Sequence, residues 1–188
     1  GYRGCSRYTH ELDVFRMELE AVKSILRGYD NLYVMIPFVR FVNEIVQIRS
    51  FLKQEGLYQF PNFKLWMMVE VPSNILLIDK FIDAGIDGIS IGSNDLTQLV
   101  LGIDRDNAKL APLFDERNEA VMMAIERAVT TAAAKGITAS ICGQAPSVYP
   151  EITEKVVKWG ITSVSVSPDM IDETRSIVAA AEEKLGMK

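Results

Sequence analysis

The chain has 188 residues, of which 48% are hydrophobic and 24% charged, enough for one domain with one sizeable core and unlike a disordered or fibrous segment. A net charge of -5 and a pI near 5.0 leave no basic footprint for nucleic acid, so an anionic ligand has to be met by a local cluster of cations. Two cysteines far apart in sequence, Cys5 and Cys142, fit a reducing cytoplasm rather than a disulfide framework, and no apolar run is long enough to span a bilayer.

The opening residues, Gly1-Tyr2-Arg3-Gly4, read neither as a signal peptide nor as a translational start, which predicts that the chain begins inside a larger protein. In residues 11–26, Leu12, Phe15, Leu19, Val22 and Leu26 recur at helical steps, and Gly28 stops the run. Residues 32–37 are nearly all apolar up to Pro37, the pattern of a strand covered on both faces. Helical spacing returns at 42–52, with Ile45, Ile48 and Leu52 on one side, and a loop with aromatic residues fills 55–63. The next apolar strand is 65–71, after which Ser73 and Asn74 are placed to cap a helix over 75–84. A short strand over 88–92, built on Ile89 and Ile91, then gives way at Gly92-Ser93 to Asn94 and Asp95. A carboxylate here is solvated, caps a helix starting at Leu96, or holds a metal; taken alone, the cap is the ordinary reading. Further helices are expected at 119–135, 151–158 and 171–185, and further strands at 137–142 and 163–167.

Five strands alternating with helices imply right-handed βαβ crossovers and a parallel sheet. Strand starts lie roughly 30 residues apart as far as Gly88, close to the ~31 residues per unit of a (β/α)8 TIM barrel of ~250 residues. The expectation is a partial barrel, the last five βα units with the first three strands missing, the whole of 1–188 forming one part of a domain. The next interval is about 50 residues, and the added length at 100–118 carries Arg105; long loops at strand exits commonly carry function. A doubly wound sheet fits less well, since no Gly-rich fingerprint follows a first strand. Arg40, Glu70, Asn94, Asp95, Cys142 and Gln144 all fall at or just after the C-terminal ends of strands, the face where barrel enzymes do chemistry.

Each of these residues has a plain reading beside a chemical one. Glu70 ends an apolar run and needs a cation or donors, which a structural ion pair or a metal would supply equally well. Two carboxylates at the tips of adjacent parallel strands, about 5 Å apart, repel without an ion and suit Mg²⁺ held by two carboxylates, substrate oxygens and waters. Cys142 reads either as a small core residue or as a reactive thiol. Arg7 is an ordinary surface charge, His10 a surface or capping residue, and the Met67-Met68 pair core.

Five segments carry a resemblance when taken together and in order: GYRGCSRY, MIPFVR, MVEVPSN, ISIGSNDLTQLVLGIDRDN and SICGQAPS. The chain resembles the C-terminal barrel of phosphoenolpyruvate-utilising enzymes over essentially its whole length. The phosphoenolpyruvate synthase branch is nearest, with the pyruvate phosphate dikinases and enzyme I of the sugar phosphotransferase system sharing the plan; Arg40 and Gln144 look synthase-like. The resemblance implies that Glu70 and Asp95 bind Mg²⁺, that Arg3 and Arg105 contact the phosphoryl group, and that Asn94 orients it. Cys142 is then the acid/base at the methyl carbon of pyruvate. Pyruvate or phosphoenolpyruvate would be the substrate, and a swivelling phosphohistidine domain and an ATP-binding domain of the same full-length protein the partners.

The carrier histidine of that family has no counterpart, since His10, the chain's one histidine, lies outside any such motif, and the ATP-binding domain is likewise absent from the sequence. A sheet with two unpaired edges invites self-association, so a homo-oligomer is expected. Two classes of function follow: the pyruvate/phosphoenolpyruvate half of a phosphotransferase, or a truncated barrel serving as a scaffold without chemistry.

Overall fold

A computed structural model describes residues 2–186. Five parallel strands, β1 (Val34–Ile36), β2 (Leu65–Val69), β3 (Gly88–Gly92), β4 (Thr138–Cys142) and β5 (Ser163–Val164), form one sheet in sequential order. Between and around them run α1 (Cys5–His10), α2 (Leu12–Leu26), α3 (Val42–Gln54), α4 (Pro72–Leu76), α5 (Ile78–Asp83), α6 (Ser93–Leu101), α7 (Glu119–Ala134), α8 (Ala145–Val148), α9 (Pro150–Trp159) and α10 (Ile171–Lys184). The alternation predicted the parallel sense, because each crossover returns the chain to the same end of the sheet, and the sequential order is the one a portion of a barrel would have. Among the described residues, no helix is long and apolar enough to cross a membrane.

The register sorts side chains onto two faces. Ile36 pairs with Met67, Met67 with Ile89 and Ile89 with Ala139, while Val69, Ile91, Ile141 and Val164 line up in the same way one step on. This face is buried under the helices. The Ala-rich α7 lies against β3 and β4, burying Val121, Ala124, Ile125, Ala128, Val129 and Ala132; small side chains let its backbone approach the sheet closely. The other face carries Met35, Trp66 and Gly88 in one row and Met68, Ser90 and Ser140 in the next, continuing to Gly92 and Cys142. It is not covered in the way the continuous apolar runs predicted. Met35 remains 41% exposed and Trp66 and Met68 are half-buried, because no helix among the described residues packs over them.

Other departures are local. The strands expected over 32–37 and 163–167 shrink to three and two residues, the two edges of the sheet, where only one neighbour supplies hydrogen bonds. Pairing nonetheless runs slightly past β5, since the Thr162 N–H donates to Ala139 O and the Ser165 N–H to Ile141 O, both at 2.9 Å. A short helix, α1, precedes the one expected from residue 11. The helix expected over 75–84 begins earlier, at Pro72, and breaks at Leu77 into α4 and α5. Asn74 caps it by reaching back from within the first turn: its Oδ1 accepts the N–H groups of Glu70 (3.2 Å) and Val71 (3.0 Å).

Candidate functional site

Glu70 follows β2 directly and is only 6% exposed. Its N–H is held by Asn74, whose own Nδ2 donates to Val39 O at 2.8 Å, so a fully buried amide ties the exits of β1 and β2 together. Oε1 of Glu70 accepts the backbone N–H of Phe38 at 2.6 Å. Oε2 faces β3, where a Cβ added to Gly92 would lie 3.2 Å from it. Burial raises the pKa of this carboxyl, and the Asp95 charge raises it further, against the Phe38 hydrogen bond and the Arg3 charge. The charge at the exit of β3 is thus felt by the carboxyl at the exit of β2.

Asp95 does not precede a helix starting at Leu96. Helix α6 begins at Ser93 and takes Asp95 into its first turn, where the helix dipole favours a negative charge but the side chain makes no cap. The helix starts early because Ser93 and Asn94 are held from outside: Asn94 Oδ1 accepts the Gln144 N–H at 2.9 Å and Ser93 Oγ the Ala145 N–H at 3.3 Å. These bonds bring the exits of β3 and β4 together. They require Gly143, whose φ is +98° and where a Cβ would stand 2.3 Å from Ser93 Oγ. Asp95 Oδ1 instead accepts from Arg3 Nη2 at 3.0 Å, an ion pair joining the N-terminal segment to β3.

Cys142 ends β4, paired with Gly92 on the same face as Met68. The Ser90 hydroxyl lies 3.6 Å from its sulfur as a donor, and Met68 Sδ is 4.0 Å away. Burial pushes the thiol up, the Ser90 hydrogen bond pulls it down and the Glu70 charge pushes it up again, so Cys142 rests as a thiol. Cys5, the fully buried first residue of α1, is pushed up to about 12 by burial and then by the Glu44 charge.

The expected site residues therefore divide. Arg3, Glu70, Asn94, Asp95 and Cys142 lie at the C-terminal ends of the strands or on segments docked there. Arg105 stands in the exposed loop after α6, where its backbone N–H donates to Gln98 Oε1 at 3.2 Å and its charge reaches Glu116. Among the described residues, no group of three or more His, Cys, Asp or Glu side chains is placed to hold a metal ion.

Three supporting residues escaped sequence reasoning. Glu116, 2% exposed, turns inward from the loop to the Ser93 hydroxyl and the Ala145 N–H, and its Oε1 has no partner among the described residues. Glu44 accepts from Arg40 N (2.6 Å), Phe41 N (2.9 Å) and Ser6 Oγ (3.3 Å), holding the start of α3. Its place three residues after Phe41, just inside the helix, is a legible signal of a glutamate reaching back to free N–H groups. Phe38, with φ +52°, is the third; nothing local marks an aromatic after proline for a left-handed backbone.

Comparison with known proteins follows the same lines. A probable phosphoenolpyruvate synthase of Staphylothermus marinus is 50% identical over 194 aligned residues, covering 100% of this chain and 23% of its own length. Phosphoenolpyruvate synthases of Aeropyrum pernix (48% identical, 98% of this chain) and Helicobacter pylori (43%, 98%) match as well. The chain spans about 23% of the length of each of these relatives. RipC of Yersinia pestis, a solved structure, shares the fold at a TM-score of 0.58 and 15% identity, over 85% of this chain and 70% of that one, a likeness of fold alone. The sequence pattern of one family, described as PEP-utilising enzyme, PEP-binding domain, matches residues 1–183, and the chain belongs to that family.

Proposed function

We propose that this chain is the pyruvate/phosphoenolpyruvate-binding part of a phosphoenolpyruvate synthase, its sheet a five-unit portion of a (β/α)8 barrel and residues 1–188 the C-terminal part of that domain. In this reading, a phosphoryl group passes from a phosphohistidine on another domain of the full-length protein to the enolate oxygen of pyruvate; the P–N bond breaks and a P–O bond forms. That histidine is first charged from ATP on a further domain. The observation that carries the reading is the convergence of Arg3, Glu70, Asn94, Asp95 and Cys142, drawn from separate segments, on one end of the sheet.

The donor set fits Mg²⁺. The Asp95 charge adds to burial in raising the Glu70 pKa, a repulsion that a divalent cation would relieve, and two carboxylates leave room for waters and substrate oxygens. Mg²⁺ bound there would neutralise charge building on the carbonyl and phosphoryl oxygens. The rest falls to this chain. Arg3 and Arg105 offer paired N–H edges to the transferring oxygens, and the Asn94 amide orients them. Cys142, held as a thiol, is in the form that gives a proton to the methylene carbon of the enolate; in the other direction its thiolate takes a proton from the methyl of pyruvate. A self-associating protein in the cytoplasm is part of the same reading.

The test separates the two chemical steps in the full-length enzyme. Cys142→Ala is expected to abolish pyruvate turnover and exchange of the pyruvate methyl protons into deuterated water, while ATP-driven phosphorylation of the carrier histidine continues. Proton exchange or turnover near the wild-type rate in this variant would return Cys142 to the role of a core residue.

A further inference from the structure

Phe38 stands where the N-terminal segment meets the exit of β1, and it is the one non-glycine among the described residues with positive φ, +52°. For a bulky residue, that conformation is strained and persists only where surrounding contacts impose it. Three contacts do so here. Its N–H donates to Glu70 Oε1 at 2.6 Å. Gly4, with φ +64°, is pressed against it so closely that a Cβ would lie 2.5 Å from Phe38 Cβ and 2.6 Å from Pro37 O, and the adjoining Cys5 N–H donates to Pro37 O at 2.9 Å. The ring, meanwhile, lies under two guanidinium groups, with Arg3 Cζ 3.9 Å and Arg40 Cζ 4.8 Å from its centroid.

Two cations gathered at one ring repel each other and are hard to hold in place with long side chains alone. An aromatic face attracts each of them and fixes the plane of the guanidinium, leaving its N–H edge for other partners. One nitrogen of each is tied down and helps fix the plane: Arg3 Nη2 donates to Asp95 at 3.0 Å, and Arg40 Nη1 to Ser6 Oγ at 2.9 Å. We propose that Phe38 is a positioning residue of this site, its ring setting the planes of Arg3 and Arg40 for a phosphoryl anion while its backbone N–H holds the Glu70 carboxylate. The left-handed turn is what allows one residue to serve both, since it directs the N–H to Glu70 and the ring to the arginines. Arg40 thereby joins Arg3 as a cation aimed at the anion. The inference rests on the function proposed above.

The experiment uses the full-length enzyme with Mg²⁺ and compares Phe38→Leu, which keeps an apolar side chain but loses the ring, with Phe38→Tyr, which keeps the ring. Phe38→Leu is expected to raise KM for phosphoenolpyruvate in the reverse direction by about tenfold, the size of a partly desolvated cation–ring contact, and to leave kcat and the KM for pyruvate within about threefold. Phe38→Tyr should restore the phosphoenolpyruvate KM. A general loosening of the fold would instead weaken both substrates in Phe38→Leu, and that result, an unchanged phosphoenolpyruvate KM, or an equal loss in Phe38→Tyr overturns the inference while leaving the functional reading intact. If the wild-type enzyme handles neither substrate, the functional reading falls and takes this inference with it.

Discussion

Glu116 is the residue whose energetics are most exposed to test. It is 2% exposed with one carboxyl oxygen lacking a partner among the described residues, and burial raises its pKa against the opposing pull of the Ser93 hydroxyl, the Ala145 N–H and the Arg105 charge. A carboxyl with a raised folded-state pKa binds its proton more tightly folded than unfolded. Folding stability from this group is therefore full below the ordinary carboxyl range and falls as pH rises toward the folded pKa. Glu116→Gln removes that dependence but places an amide where one oxygen had no partner, so the net gain is modest. At neutral pH the variant should be more stable by roughly 1 kcal/mol, or about 2–4 °C in melting temperature for a chain of this size, with the difference vanishing near pH 4. Calorimetry at the two pH values checks it. A difference of the same size at both would mean that the carboxyl carries no desolvation cost.

Element by element, the turn from β4 into α8 shows why part of the site was legible in the sequence and part was not. The strand over 88–92 was readable to the residue because a β-branched run meets Gly92-Ser93. The early start of α6 was hidden, because it depends on Asn94 and Ser93 accepting the Gln144 and Ala145 N–H groups from fifty residues away in sequence. The inward turn of Glu116, in a string of charged residues that reads as solvated loop, and the left-handed Phe38 depend likewise on distant partners. Local pattern reports burial period and end signals; it does not report which distant backbone comes close. Gly143 offers a measure of that closeness. Its φ of +98° costs any other residue backbone energy, and a Cβ there would stand 2.3 Å from Ser93 Oγ. Gly136, at φ +70°, has nothing within 4 Å of its added Cβ. Gly136→Ala should thus cost only the backbone part, about 1 kcal/mol, and Gly143→Ala roughly 1–3 kcal/mol more, measured by urea unfolding. Equal costs would show that the two strand exits are less tightly pressed together than these distances imply.

For the whole molecule, the consequence lies in the uncovered face of the sheet. Tyr33 (45% exposed) and Met35 (41%) sit beside Trp66, whose ring stacks on Tyr33 at 6.2 Å and whose Nε1 has no partner among the described residues. With Ser90, Ser140, Cys142 and Ser165 they line a depression of about 320 Å³. The sheet edges, three residues of β1 and two of β5, are too short to be strong templates for another strand. Apolar surface gains about 25 cal/mol per Å² on burial, so the face rather than the edges should drive association, and a face this small should drive it weakly. The charge of -5 opposes it only mildly once salt screens the surface. In sedimentation velocity, the 188-residue chain alone should show a sedimentation coefficient that rises with concentration, accompanied by a blue shift of Trp fluorescence as Trp66 leaves water. Met35→Lys, a charge at the centre of the apolar patch, should suppress both changes without loss of helical circular dichroism, since Met35 is not part of the buried core. A coefficient independent of concentration would show that the face is stable in water as it stands. Association undiminished in Met35→Lys would move the contact to the edges.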